Sequence, residues 1–166
     1  MSAALLVSTT GAAQNLTLVA QEGNGPPVAR VVKGIISYTH WPAEPEVVQL
    51  CIIGNSRYQG QLLTGMQRLP GRAVRVQQVP LGNPAALEVC NAFYLAEGTQ
   101  RPVRWSNHPA LTISEHDPAC RGGSMFCLNI VSGRVSFDLN LDSVARSGLR
   151  VDPKALMLGS SGERRP

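Results

Sequence analysis

Apolar residues along this chain recur with two different periods, and the changes of period mark out its elements. From Pro26-Pro27 onward, Val28, Val31, Val32, Ile35 and Ile36 return at the spacing of one helix face. That spacing predicts an amphipathic helix with proline in its first turn, running to about Tyr38. Trp41-Pro42 is expected to end it, because the residue before proline avoids the helical region. Val47 to Gly54 is a continuous apolar run of strand length, the pattern of a strand buried on both faces of a parallel sheet. Asn55 or Ser56 can cap a following helix whose apolar positions include Tyr58, Leu62, Met66 and Leu69. Ala73 to Val79 alternates as a strand, Pro84 to Val89 fits a short helix, and Asn91 to Ala96 is again a buried strand.

Strand, helix, strand, helix, strand is the rhythm of a parallel α/β sheet with right-handed crossovers. The first of these strands is expected to lie between the second and third. Glu97 to Asn107 bears Pro, Arg and Gly and fits an irregular surface connection, and Leu111-Thr112-Ile113 is another short strand.

The densest pattern runs from Ser124 to Pro153. Met125 to Val131 is an apolar strand, Ser132-Gly133 supplies turn chemistry, and Arg134 to Leu139 alternates polar and apolar residues. These runs predict a β-hairpin. Asn140 or Asp142 can cap a short helix through Arg146, with Gly148 as its stop. Pro153 stands where a second helix, Lys154 to Leu158, can begin. Together the elements predict a single-domain three-layer α/β/α sandwich with a mostly parallel sheet and a C-terminal hairpin.

Composition narrows the function classes. At 166 residues the chain suits one domain, and 43% hydrophobic with 16% charged residues marks it as globular. The formal charge is 15 − 11 = +4, but the basic residues are scattered and aromatic content is only 5%, so no nucleic-acid footprint emerges. Met1 to Ala13 carries no charge and ends on small residues, resembling the end of a secretory signal without its basic region. No other run approaches the roughly 20 apolar residues of a membrane span, so the protein is not expected to be membrane-embedded. The expected division is a signal-peptide remnant and disordered N-terminus over 1–25, one α/β domain over 26–159, and a basic flexible tail over 160–166.

Four cysteines, at 51, 90, 120 and 127, fit an oxidising compartment. Of the possible connectivities, Cys51–Cys90 with Cys120–Cys127 is favoured. The expected strand order puts Cys51 and Cys90 on neighbouring strands, and Cys120 and Cys127 flank a tight Arg-Gly-Gly-Ser turn. By loop entropy the long bridge stabilises by roughly 4 kcal/mol and the short one by roughly 2.5 kcal/mol. The competing readings are zinc, with His116 four residues ahead of Cys120, and free buried cysteines. No C-x-x-C pair is present, which disfavours both zinc and a thiol oxidoreductase.

Candidate chemistry is sparse. Gly54 to Gly60 follows a strand and opens a helix, where backbone amides favour an anion, but it is neither a Walker motif nor G-x-G-x-x-G. It is the expected cradle if the protein binds a small ligand. Ser114-Glu115-His116-Asp117 has the residue types of a catalytic triad, yet consecutive side chains diverge and no G-x-S-x-G elbow exists. His116 is expected in a turn, and His40 and His108 in loops. Nothing calls for a catalytic residue, a metal or a cofactor.

Gly34-Ile35-Ile36-Ser37-Tyr38-Thr39-His40-Trp41-Pro42, Leu50-Cys51-Ile52 and Cys90-x-x-Phe93-Tyr94-Leu95 together resemble the YfiR family. The likeness continues through Gly123 to Leu128, Asn140 to Gly148, Arg150-Val151-x-Pro153 and Leu156-Met157-Leu158. It covers about Val28 to Leu158 and includes all four cysteines.

The resemblance implies a periplasmic, non-enzymatic homodimer with an α/β/α sandwich fold. It implies a repressor of a membrane-anchored diguanylate cyclase, YfiN, acting on the cyclase's periplasmic region. An outer-membrane lipoprotein, YfiB, would relieve repression by sequestering it, linking envelope stress to cyclic di-GMP and biofilm formation. The family's disulfides fall on Cys51–Cys90 and Cys120–Cys127. Its partner-facing positions fall on Phe126, Asp138 and Val144, where the family can carry Glu and Ile in place of Asp138 and Val144. A small-molecule site would involve Arg150, and Asp152 departs from a more basic pattern there. The alternative reading is a periplasmic small-ligand-binding protein.

Overall fold

The computed structural model describes residues 26–99 and 106–159. The expected leader remnant over 1–25, the tail over 160–166 and part of the 97–107 connection lie outside the described residues. In chain order the elements are α1 (Pro27–Ser37), β1 (Thr39–His40), β2 (Val48–Ile53), β3 (Val74–Gln78), α2 (Pro84–Glu88), β4 (Ala92–Leu95), β5 (Leu111–Glu115), β6 (Phe126–Val131), β7 (Arg134–Leu139), α3 (Leu141–Ser147), β8 (Arg150–Val151) and α4 (Leu156–Gly159). Six strands form one sheet in the order β3-β2-β4-β5-β6-β7. All neighbours are parallel except the β6–β7 hairpin. The expected placement of the first apolar strand between the next two holds.

Period-two alternation assigns each face of this sheet. Val48, Leu50 and Ile52 of β2, Ala92 and Tyr94 of β4, Leu111 and Ile113 of β5, and Phe126 and Leu128 of β6 point to one side. There they meet Val28, Val32, Ile35 and Ile36 of α1 and form the main core. Each such fully buried aliphatic side chain stabilises the fold by about 1.5–3 kcal/mol. Cys51, Ile53, Phe93 and Leu95 point the other way into a smaller cluster with Leu87 of α2 and Val79.

Local signals explain the helix ends. Asn83 and Asn140 cap α2 and α3 by accepting from the amides of Ala86 and Ser143, and Gly148 closes α3 in the left-handed conformation at φ 77°. Helix α1 ends at Ser37, earlier than Trp41-Pro42 would impose. The hydroxyls of Ser37 and Thr39 donate to the carbonyls of Lys33 and Ile35, each at 2.8 Å, and the chain then enters β1. Strand β1 pairs antiparallel with β8, a two-stranded ladder the sequence pattern does not predict.

The helix expected after Ser56 is not a regular α-helix. Its middle is a wide π turn, Gln61–Gly65, followed by a 3₁₀ turn, Met66–Arg68. Gly65 packs against α1 so closely that a Cβ there would lie 3.1 Å from Ala29 Cβ and 3.2 Å from Pro26 Cγ. Leu69, expected on its apolar face, is already extended at ψ 139°, as the residue before Pro70 should be. Strand β5 runs two residues beyond Ile113, carrying Ser114 and Glu115 into the sheet.

Candidate functional site: the uncovered face of the hairpin

The sheet's two faces are covered unequally. On the α2 side, the smaller apolar cluster covers β2 and β4, while the turn at Cys120 covers the Cys127 end of β6 and β7 and leaves their other end open. Arg134, Ser136 and Asp138 of β7 are exposed there, Val131 of β6 is 68% exposed, and Asn129 is half-buried. Their partners in alternation, Val135, Phe137 and Leu139, are half-buried against the main core. This polar, uncovered end of the sheet is the candidate interaction surface.

A disulfide sits at its margin. Cys120 and Cys127 are joined with their Cα atoms 5.5 Å apart, and Cys51 and Cys90 with theirs 5.9 Å apart. The connectivity favoured from spacing is the one formed. The chain turns tightly into the Cys120–Cys127 loop, with His116, Ala119 and Cys120 all at positive φ. Asp117 stabilises the turn by accepting from the amides of Arg121 at 3.1 Å and Gly122 at 2.8 Å. Its Oδ2 lies 3.6 Å from Cys127 Sγ, and the ligand atoms of Asp117, Cys120 and Cys127 lie within 4.8 Å of one another. The bond between the sulfurs removes both as thiolate ligands, so the zinc reading loses its basis in this state.

The three expected partner-facing residues do not share one surface. Asp138 is exposed on the open face, where it accepts from Asn129 Nδ2 at 3.0 Å. Phe126 is fully buried on the opposite face and meets Phe137 edge-on with centroids 5.4 Å apart. Val144, on α3, is half-buried against the same core. Arg150 is exposed on β8, paired in register with His40, while Asp152 accepts from the Lys154 amide and caps the turn beginning at Pro153.

The Gly54–Gly60 turn is built differently from an anion cradle. Ser56 accepts from the Tyr58 amide at 3.0 Å and donates to the buried carboxylate of Glu115, whose other oxygen accepts from the Glu97 amide at 3.1 Å. A carboxylate held against the turn opposes a second anion. Tyr94 lies beside this pair, fully buried, its hydroxyl close enough to Glu115 and Ser56 to interact with both but making no well-formed hydrogen bond. Burial first, and then the charge of Glu115, push its pKa above the usual tyrosine range. On the other side of the strand ends, Ile53, Gly54, Gln78, Leu81 and Thr99 help line an open cleft of about 610 Å³. Within the triad-like string, Ser114 is buried and no base among the described residues bonds its hydroxyl.

No described helix is long and apolar enough to cross a membrane. A family model described as YfiR/HmsC-like matches residues 27–160. Among solved structures, the chain is similar to an alanine–glyoxylate aminotransferase from Nostoc sp. at 15% identity and a TM-score of 0.42. That match covers 86% of this chain and 47% of the other, so the chain spans about half of that protein's length.

Proposed function

This chain belongs to the YfiR/HmsC-like family, a periplasmic family of regulators in cyclic di-GMP signalling, and on that premise we propose that it represses a membrane-anchored diguanylate cyclase. The target is the periplasmic region of a YfiN-like cyclase, and a YfiB-like outer-membrane lipoprotein relieves repression by sequestering the protein. Repression lowers cyclic di-GMP and biofilm formation, and it proceeds by binding, without catalysis. The observation that carries this reading is the family match over 27–160, which takes in both disulfide pairs.

The partner-facing surface in this reading is the uncovered hairpin face, with Asp138 as its charged contact. Phe126 and Val144 act from beneath, holding β6, β7 and α3 in place. Repression then requires the protein to bind one cyclase conformation better than the other by a few kcal/mol. The Cys120–Cys127 bond preorganises the surface and so reduces the ordering cost of binding. Arg150, exposed near the C-terminus, is the position for a regulatory small molecule.

The test is binding of the oxidised protein to the periplasmic domain of its host's cyclase, with and without reductant. Redox-dependent binding supports the reading and makes the disulfides part of the mechanism. Binding in both states keeps the reading and makes them scaffold. Absence of binding by folded protein in either state overturns it. The open cleft beside Gly54 favours a second reading, a periplasmic small-ligand-binding protein, because crevices at the C-terminal ends of parallel strands are where α/β sheets hold ligands. A calorimetric screen of small metabolites separates the two.

A further inference from the structure

The outer edge of β7 is unpaired and carries a self-complementary pattern. Among the described residues β7 has one strand neighbour, β6. The Asn140 amide donates to the Met125 carbonyl at 2.8 Å, which sets the phase of the ladder in which Cys127 faces Asp138 and Val131 faces Arg134. Bonded and non-bonded pairs alternate in an antiparallel ladder. Arg134, Ser136 and Asp138 therefore turn their backbone groups toward β6, and Val135, Phe137 and Leu139 turn theirs outward. A row of outward N–H and C=O groups is a template for another strand.

The side chains decide which strand fits. Among the described residues Arg134 enters neither ion pair, and the Asp138 carboxylate is bonded by Asn129 and by no cation. The two charges sit four residues apart on one face, about 13 Å along the strand, too far to pair within one chain. An antiparallel copy of β7, turned about a two-fold axis through Ser136, sets Arg134 opposite Asp138 of the second copy and Asp138 opposite its Arg134. The same register sets Val135 opposite Phe137 of the second copy, both with outward backbone groups. Charges and backbone bonds thus come into phase in one alignment. A slip of one residue breaks the hydrogen bonding, and a slip of two separates the charges. Helix α4, which packs against β7, adds exposed apolar surface through Leu156 (53%) and Met157 (71%).

We propose that two copies of this chain join edge to edge through β7, in the register centred on Ser136, into one continuous sheet. The pairing gives the homodimer of the functional reading a specific face. It also sets both Asp138 side chains on the same uncovered surface, either side of the axis, where a single partner meets both copies. This last consequence rests on the functional reading, whereas the pairing itself does not.

Sedimentation equilibrium of the oxidised, full-length protein across the micromolar range tests it. Wild type is expected to dimerise. Arg134→Asp and Asp138→Arg each set like charges opposite one another, and each is expected to weaken self-association by roughly tenfold or more, with unchanged circular dichroism. The double variant restores the dimer. So does an equimolar mixture of the two single variants, because each copy then offers the charge the other lacks. Wild-type dimers that neither single variant weakens, or a mixture that stays monomeric, overturn the β7 pairing and leave cyclase binding untouched. A wild type that is monomeric throughout overturns it too. Failure of the functional reading is seen separately, in the cyclase-binding assay.

Discussion

Cys127 stands directly opposite Asp138 across the β6–β7 ladder, and the sulfur of its disulfide partner Cys120 lies 3.8 Å from the Asp138 carbonyl oxygen. The covalent loop and the exposed acid therefore belong to one local unit. Opening the bond frees the turn that borders the surface without removing any of the main core.

That relationship predicts two separable effects of Cys120→Ser. The short loop makes the bond worth about 2.5 kcal/mol, so the melting temperature falls by several degrees. Affinity for the cyclase domain should fall on the order of fivefold beyond any loss of folded protein, because the surface must be ordered on binding. Calorimetry at a temperature where the variant is fully folded, with repression assays in cells at matched protein level, makes the check. Equal affinity and equal repression contradict a role beyond stability.

Asp138→Lys should abolish most cyclase binding while leaving the circular dichroism spectrum unchanged, since the side chain is exposed and bonds, among the described residues, to Asn129. Arg134→Asp is the control, because it disturbs strand pairing between copies as severely but keeps Asp138. A loss of affinity at least tenfold greater for Asp138→Lys than for Arg134→Asp identifies direct contact. Equal losses assign the effect to self-association alone.

The Cys51–Cys90 bond is expected to behave differently. It lies between β2 and the end of α2, in the cluster away from the hairpin, and closes a loop of 39 residues. The double substitution Cys51→Ala with Cys90→Ala should cost about 4 kcal/mol of stability, more than Cys120→Ser. Affinity for the cyclase, measured where the variant remains folded, should stay within about twofold, as expected for distant independent sites. A larger drop would tie the two ends of the sheet together.

Much of this arrangement was legible because its signals are local and strong. The run from Val47 to Gly54 has strand length and no polar face, the spacing of Val28 to Ile36 is helical, and Ser132-Gly133 sits between two strands of matched length. The β1–β8 ladder was not legible, because each strand has two residues and the pairing spans most of the chain. The π turn at Gln61–Gly65 depends on how closely Gly65 approaches Ala29, a tertiary contact with no local signature. Glu115 was hidden in a triad-like string, and the Ser56 hydroxyl that bonds its buried carboxylate is 59 residues away. The split between Phe126 and Asp138 could have been found. A two-residue turn pairs Val131 with Arg134, so Phe126 shares its face with Leu139 and Asp138 must point the other way.

Tyr94→Phe should leave the protein as stable or make it more stable by about 1 kcal/mol. The hydroxyl is buried and makes no well-formed hydrogen bond, so its interaction with Glu115 and Ser56 offsets only part of a desolvation cost that phenylalanine avoids. Urea unfolding of the oxidised protein measures the difference. A loss above about 1 kcal/mol would mean that the hydroxyl supports the Ser56–Glu115 pair in the folded state.

Lys33 gives a pH-dependent prediction. Its amine lies inside the packing of α1 against the Met66 turn, with the residue 6% exposed, and Nζ reaches the Met66 carbonyl only at 3.5 Å. Burial disfavours the charged form and lowers the pKa from the ordinary 10.5. Between the lowered value and 10.5 the unfolded chain binds more protons than the folded one, so this group's contribution to stability rises with pH across that window. Lys33→Met removes the buried charge but keeps an unbranched apolar stem of similar reach. The variant should therefore unfold at a higher temperature than wild type at pH 7, and its advantage should shrink as pH climbs toward 10.5. A variant less stable at pH 7 shows that the bond to Met66 outweighs the cost of burial. An advantage that stays constant with pH shows that the amine reaches solvent and titrates alike in both states.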